Sequence, residues 1–166
     1  MGEGNNRSKF KGDSLPVAEV SWVDIQVFEE RAGLTLPTEA QWEYACRAGR
    51  SGPYSGSGVL DEMAWHSGNS GGRSHPIGQK KPNAFGLYDM QGNHWEWCED
   101  IYDAGSYQKT NSGNADPLST SGSGRRVFRG GSWNRNAQRC RVADRNDRNP
   151  ARRGDTLGFR PAAGNP

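Results

Sequence analysis

Residues 125–160, RRVFRGGSWNRNAQRCRVADRNDRNPARRGDTLGFR, constrain this chain more tightly than any other stretch. Both ends are apolar and glycine-bearing, with Val127, Phe128, Gly130, Gly131 and Trp133 at the front and Leu157, Gly158 and Phe159 at the back. Such ends belong in a core as short strands and tight turns. The polar interior between them has to run over the surface, because burying it would strand polar groups without partners. Arg is its only cation and Asp its only anion. Lys, Glu and Met are missing from the segment, although Lys and Glu are common before it. An ordinary surface mixes Lys with Arg and Glu with Asp, so the omission needs a cause.

A chain of 166 residues is long enough to bury one core. With 32% hydrophobic residues and 23 glycines, much of it must be turn and loop, pinned by six Trp, five Tyr and five Phe. Charge is unevenly placed. Residues 125–160 carry eleven Arg against three Asp, a balance of about +8, which leaves about −6 elsewhere for a total of +2. A basic stripe raises nucleic acid as a partner, but interleaved Asp and Asn make a poor phosphate footprint. Cys46, Cys98 and Cys140 form no close pair, so they read as reduced, half-buried thiols. No signal peptide or run of 18 apolar residues is visible, which makes an intracellular location the default expectation.

The pattern predicts an α+β fold. Residues 17–21 alternate as a short strand. Ser21 and Asp24 form a capping-box pattern for a helix over residues 22–31 that stops at Gly33, and Thr38 and Gln41 form one for a second helix that stops at Gly49. An irregular loop follows over residues 49–81, then a turn into a short strand over 82–88. Alternation in HWEWCED places Trp95 and Trp97 on one strand face and Glu96 and Cys98 on the other. Residues 107–124 read as a Ser/Gly/Asn loop, and residues 157–160 as the last core strand.

The blocks LPTEAQWEYACRAG (36–49), NAFGLYDMQGNHWEWCED (83–100), RRVFRGGSW (125–133) and LGFRP (157–161) resemble, in order, the signature blocks of the formylglycine-generating-enzyme-type sulfatase-modifying family. The resemblance implies a C-type lectin fold of that subtype: two helices, a small twisted antiparallel sheet and long loops. It also implies a single shortened domain over residues 1–166, of which the polar, Gly-rich composition of 1–15 suggests a flexible arm. The family's oxidising enzymes use a copper-binding cysteine pair a few residues after the GGS block. Here residues 133–139 hold no cysteine, so no catalytic residue is expected and no cofactor is required. The family's iron-dependent sulfoxide synthases take their His ligands from a separate helical domain that is not expected here, and His66, His75 and His94 show no ligand spacing.

Residues 125–160 resemble more closely the variable region of target proteins diversified by bacterial and phage retroelements, in which template adenines are replaced at random. Asn codons diversified in this way reach Arg, Asp, Gly, Ala, Thr and Ser but never Lys, Glu or Met. That resemblance implies a ligand-binding surface of Asn134, Arg135, Asn136, Arg139, Asp144, Asp147, Ala151, Arg152, Gly154, Asp155 and Thr156, flanked by Trp133, with a protein as the expected ligand. Arg141, Arg145, Arg148 and Arg153 fit either the variable or the fixed set. Oligomeric state is not specified.

The resemblance further implies a structural calcium around the GN-x-WEW turn, held through backbone carbonyls and a Glu, here Gln91, Gly92, His94 and Glu96. Glu96 reads equally as an inward carboxylate paired with an Arg. The runner-up function is an enzyme of the same family with altered chemistry. A sugar-binding lectin is disfavoured, since neither Glu-Pro-Asn nor Gln-Pro-Asp occurs.

Overall fold

In the computed structural model, described for residues 6–105 and 117–163, both capping boxes form. The Ser21 hydroxyl accepts the Asp24 amide while the Asp24 carboxylate accepts the Ser21 amide, which starts α1 (Trp22–Ala32). Thr38 and Gln41 do the same for α2 (Glu39–Arg47). Gly33 ends α1 in the left-handed region at φ 66°. The α2 stop falls one residue before the expected glycine, because Ala48 takes the left-handed conformation at φ 45°. A one-turn helix α3 (Leu60–Met63) sits in the long loop.

Four strands form the main sheet: β2 (Trp95–Ile101), β3 (Arg126–Arg129), β4 (Arg145–Arg148) and β5 (Leu157–Phe159), in the order β4-β3-β2-β5. Neighbours are antiparallel except β2 and β5, which run parallel. A separate pair joins β1 (Leu34–Thr35) to β6 (Ala162–Ala163). The expected alternation in β2 splits the core. Trp95 and Trp97 pack with Trp22, Ile25, Phe128 and Leu157 on the α1 side. Cys98 packs with Trp42, Cys46, Met90, Val127 and Val142 on the α2 side. Indole N–H groups tie the layers together: Trp22 donates to the Cys98 carbonyl and Trp97 to the Val20 carbonyl, both at 3.1 Å.

Three sequence expectations need correction. Residues 17–21 form no strand, because the Ser8 hydroxyl bonds both the amide and the carbonyl of Ala18, and Glu19 sits at φ 55°. Residues 82–88 form a turn rather than a strand: the Asn83 side chain accepts the amides of Phe85 and Leu87 and donates to the Ala45 carbonyl. Residues 6–15 are not a loose arm, since Ser8 is buried and Phe10 meets Trp133 edge-on at 5.6 Å. Residues 1–5 of that arm and 107–116 of the expected Ser/Gly/Asn loop lie outside the described residues.

The acidic body and basic tail meet inside the fold. Arg129 and Arg145 lie directly opposite each other on β3 and β4, where like charges repel. Glu39, in the first turn of α2, bridges them. Arg145 donates to it at 2.7 and 2.5 Å, and Arg129, with no exposed side-chain surface, pairs with Glu39, with Glu43 at 2.5 Å and with the Val142 carbonyl at 2.7 Å. Breaking such a buried network from one side leaves carboxylates without their partner, at a cost of roughly 3–5 kcal/mol. Arg129→Ala is therefore expected to lose about that much stability in urea unfolding. Arg152→Ala, at an exposed position with no side-chain partner among the described residues, is expected to stay within about 0.5 kcal/mol.

Candidate binding surface

The chain leaves β3 through Gly130 and Gly131, at φ 100° and 81°. A Cβ on Gly131 would lie 2.5 Å from the Cys140 sulfur and 2.8 Å from the Arg139 carbonyl, so only glycine lets the backbone pass this close to the 3-10 turn Ala137–Cys140. Beyond it the backbone is tied to the long loop. The Asn93 carbonyl accepts the Trp133 amide at 2.9 Å, Ser70 donates to the Trp133 carbonyl at 2.7 Å, and the Arg135 carbonyl accepts the Ser67 amide at 2.9 Å. Cys140 and Val142 are buried, and the Val142 amide donates to the Pro53 carbonyl at 2.9 Å.

On this fixed backbone the side chains of Asn134, Arg135, Asn136, Arg139, Ala151 and Arg152 are exposed. Asp147, Gly154 and Asp155 are half-buried. Trp133, Asp144 and Thr156 are buried, so Trp133 and Asp144 act from within the scaffold rather than as open contact residues. Trp133 packs on Phe10, and Asp144 lies 3.5 Å from Arg139 and accepts the Asn146 amide at 3.4 Å.

A groove of about 260 Å³ runs along β4. Its floor is Trp95, Phe128 and Leu157, and its rim includes Arg125, Arg135, Arg139 and Arg148, with Asn146, Asp147 and Thr156 between them. Four expected residues thus converge: Arg135, Arg139, Asp147 and Thr156. Ala151 and Arg152 lie outside the groove lining. Arg125 and Asn146 were missed, and Arg148 was undecided. The signal for Asn146 and Arg148 was the sequence RNDR of β4, which has no apolar residue and sits at the sheet edge; Arg125, just before β3, is brought in by its pairing with Asp147 of β4. Arg153, also undecided, is a staple: it donates to Asp24 at 2.8 and 2.6 Å. Partial burial of Asp24 works against ionisation, but hydrogen bonds from Arg153 and Ser21 outweigh it and lower its pKa to about 2.

Of the residues expected around calcium, Glu96 and the Gln91 side chain have protein partners. The Glu96 carboxylate accepts Trp42 Nε1 at 2.8 Å and Arg160 at 2.8 and 3.2 Å. The Gln91 side chain accepts from Ser55 and donates to the Cys140 carbonyl, and Gly92 sits at φ 74°, where an added Cβ would lie 2.3 Å from the Trp65 carbonyl. The Glu96 carboxylate is thus paired with an Arg, the second of the two readings that the sequence left open for it. Among the described residues no group of three or more His, Cys, Asp or Glu is set to hold a metal ion.

Cys46, Cys98 and Cys140 are free and buried. Burial pushes the thiols of Cys46 and Cys140 up to about 12, and that of Cys98 well above the usual range, so all three stay protonated near neutral pH. No helix among the described residues is long and apolar enough to cross a membrane.

Comparison with known proteins now decides the family. The sequence profile of the sulfatase-modifying factor enzyme 1-like domain matches residues 2–164. The chain belongs to that family. It is 35% identical over 165 residues to the formylglycine-generating enzyme of Streptomyces coelicolor, covering 87% of this chain and 51% of that protein. It is 34% identical over 180 residues to the formylglycine-generating enzyme of Mus musculus, covering 97% and 47%. It thus spans about half the length of these curated relatives. Among solved structures it is similar to Treponema denticola variable protein 1, with a TM-score of 0.78 and 28% identity, over 95% of this chain and 77% of that one. PvdO from Pseudomonas aeruginosa matches with a TM-score of 0.77 and 28% identity, over 92% and 63%. The fold is the C-type lectin fold of the formylglycine-generating-enzyme subtype.

His94 stands at the family's GN-x-WEW turn, 6% exposed, with Nε2 at 2.8 Å from the Ser74 hydroxyl. Burial lowers its pKa to about 4, with Asp155 opposing. A folded value below the unfolded one of about 6.5 means that acid favours the unfolded chain, so the His94 contribution is lost as pH falls from about 6.5 to 4. In an NMR titration from pH 7.5 to 5 the His94 ring resonances are expected to stay those of the neutral imidazole. A midpoint near 6.5 would contradict this.

Proposed function

We propose that this chain is a non-catalytic binding module whose ligand surface is the β4 groove and the exposed positions beside it, diversified by a retroelement. The observation that carries the reading is the separation of roles within residues 125–160. Backbone and buried side chains from Gly130 to Val142 are locked to the loop, while Asn134, Arg135, Asn136 and Arg139 point to solvent from that locked backbone. Side chains at such positions exchange without disturbing the core. The absence of Lys, Glu and Met from the segment supports the same reading, as does the likeness to Treponema denticola variable protein 1. The ligand we propose is a protein, because a polar surface of Arg, Asn and Asp recognises carboxylates, amides and aromatic faces.

The identity to formylglycine-generating enzymes keeps an enzymatic reading in view. A soft copper site takes two thiolates. Residues 133–139 hold none, and Cys140 is a protonated thiol packed under Gly131, so the binding reading is the stronger one.

Sequencing around the gene tests the proposal. A reverse-transcriptase gene and a near-copy of codons 125–160 are expected, with the copy differing only at adenines. The differing codons are expected at Asn134, Arg135, Asn136, Arg139, Ala151 and Arg152, and not at Arg129, Gly130, Gly131, Trp133 or Leu157. Differences spread equally over both sets, or no near-copy, would overturn it.

A further inference from the structure

The β4 groove has a chemical character that narrows its ligand. Four guanidinium groups, those of Arg125, Arg135, Arg139 and Arg148, face it against one lining carboxylate, Asp147. Asp147 is already committed to Arg125, which also donates to the Asp147 carbonyl at 3.2 Å. Arg148 spends one nitrogen on the Arg153 carbonyl at 3.2 Å, and Arg139 forms a 3.5 Å ion pair with Asp144. The Arg135 side chain has no hydrogen bond or ion pair among the described residues. The groove therefore keeps an unmet positive charge and several free guanidinium forks. A planar fork matches a carboxylate with two parallel N–H···O bonds.

Resting on the binding reading above, we infer that the groove of this chain receives a carboxylate-bearing peptide segment of a protein partner, an Asp or Glu side chain seated between Arg135 and Arg148. Its size fits. At about 260 Å³ it is smaller than the roughly 300–1,000 Å³ of a small-molecule pocket, so it takes a side chain or two and not a free metabolite. Asn146 and Thr156 stand in the lining as polar partners for the segment's backbone amides. A polyphosphate is a poorer match, because Asp147 stands among the cations and Asp144 lies 3.5 Å from Arg139, and each cancels counterion release along a strand. The charge is also local. The rest of the chain is acidic, which steers an acidic partner toward this face and away from the others.

Panning a random dodecapeptide display library on the purified chain tests this. Enriched peptides are expected to carry Asp or Glu at a fixed position and to bind more weakly as salt rises. Changing that acid to Asn or Gln, or making Arg135→Gln in the chain, is expected to weaken binding about tenfold, and Arg135→Gln combined with Arg148→Gln further still. Because Arg135 is exposed, the single variant is expected to melt like the parent, which separates lost binding from lost fold. Enriched peptides free of Asp and Glu, or bound equally by Arg135→Gln, would overturn the carboxylate assignment while leaving a binding module standing. Tighter binding of a single-stranded oligonucleotide at the same salt would overturn it in favour of phosphate. Self-association abolished by Arg135→Gln would overturn it in favour of a second copy of the chain. Failure to enrich any peptide would count against both the assignment and the binding reading.

Discussion

Two arginines facing each other across neighbouring strands are held in place by one carboxylate, and much of the architecture depends on that contact. Arg129 and Arg145 would push β3 and β4 apart if Glu39 did not bridge them. Glu39 in turn is fixed by the first turn of α2, where the helix dipole favours a negative charge, and its amide is held by Asp100 of β2 at 2.6 Å. One network thus couples α2, β2, β3 and β4. Arg129 also lies over the Trp42 ring at 5.3 Å, so the charged network and the α2-side core share a wall.

From this contact follows the division of labour in the segment that returns from β3 to β5. Its arginines are not one population. Arg126 lies 3.7 Å over the Trp22 ring, Arg129 and Arg145 close the Glu39 network, Arg153 staples Asp24, and Arg160 meets Glu96. These five are structural, and they offset much of the acidic charge of the body. The arginines at 135, 139, 141 and 152 are exposed and hold little of the fold together. A lectin-type framework that carries its own internal neutralisation can present an unneutralised surface elsewhere. In that surface the open groups are guanidinium and amide, while the thiols are buried and protonated.

The local half of this design was legible in the sequence. Ser21 with Asp24 and Thr38 with Gln41 announced both helices, because capping is a contact between residues three apart. Alternation announced the two faces of β2. The network on Glu39 was not legible: its partners lie 90 and 106 residues away, and no period connects them. β4 was missed as a particular strand because Arg145, Asn146, Asp147 and Arg148 offer no apolar face, and only pairing with β3 makes them one. Asp144 was placed on the surface because codon chemistry and polarity say nothing about which side of a fixed loop a residue occupies, and Trp133, expected to flank that surface, packs inward on Phe10. Residues 17–21 alternate as a strand does, yet a single Ser8 hydroxyl and a left-handed Glu19 give that stretch other partners.

The account turns on the independence of the exposed positions from the network beneath them. Thermal unfolding of one variant carrying Asn134→Ser, Arg135→Ser, Asn136→Ser, Arg139→Ser and Arg152→Ser tests it directly. Serine keeps a side-chain oxygen at position 136, where Asn136 caps the 3-10 turn by accepting the Arg139 amide. Since 1 kcal/mol shifts the midpoint of a domain this size by roughly 2–4 °C, five neutral surface changes are expected to leave the Tm within about 5 °C of the parent, with one cooperative transition. A fall of more than about 10 °C, or loss of the transition, would show that these side chains hold the fold and are not its replaceable surface.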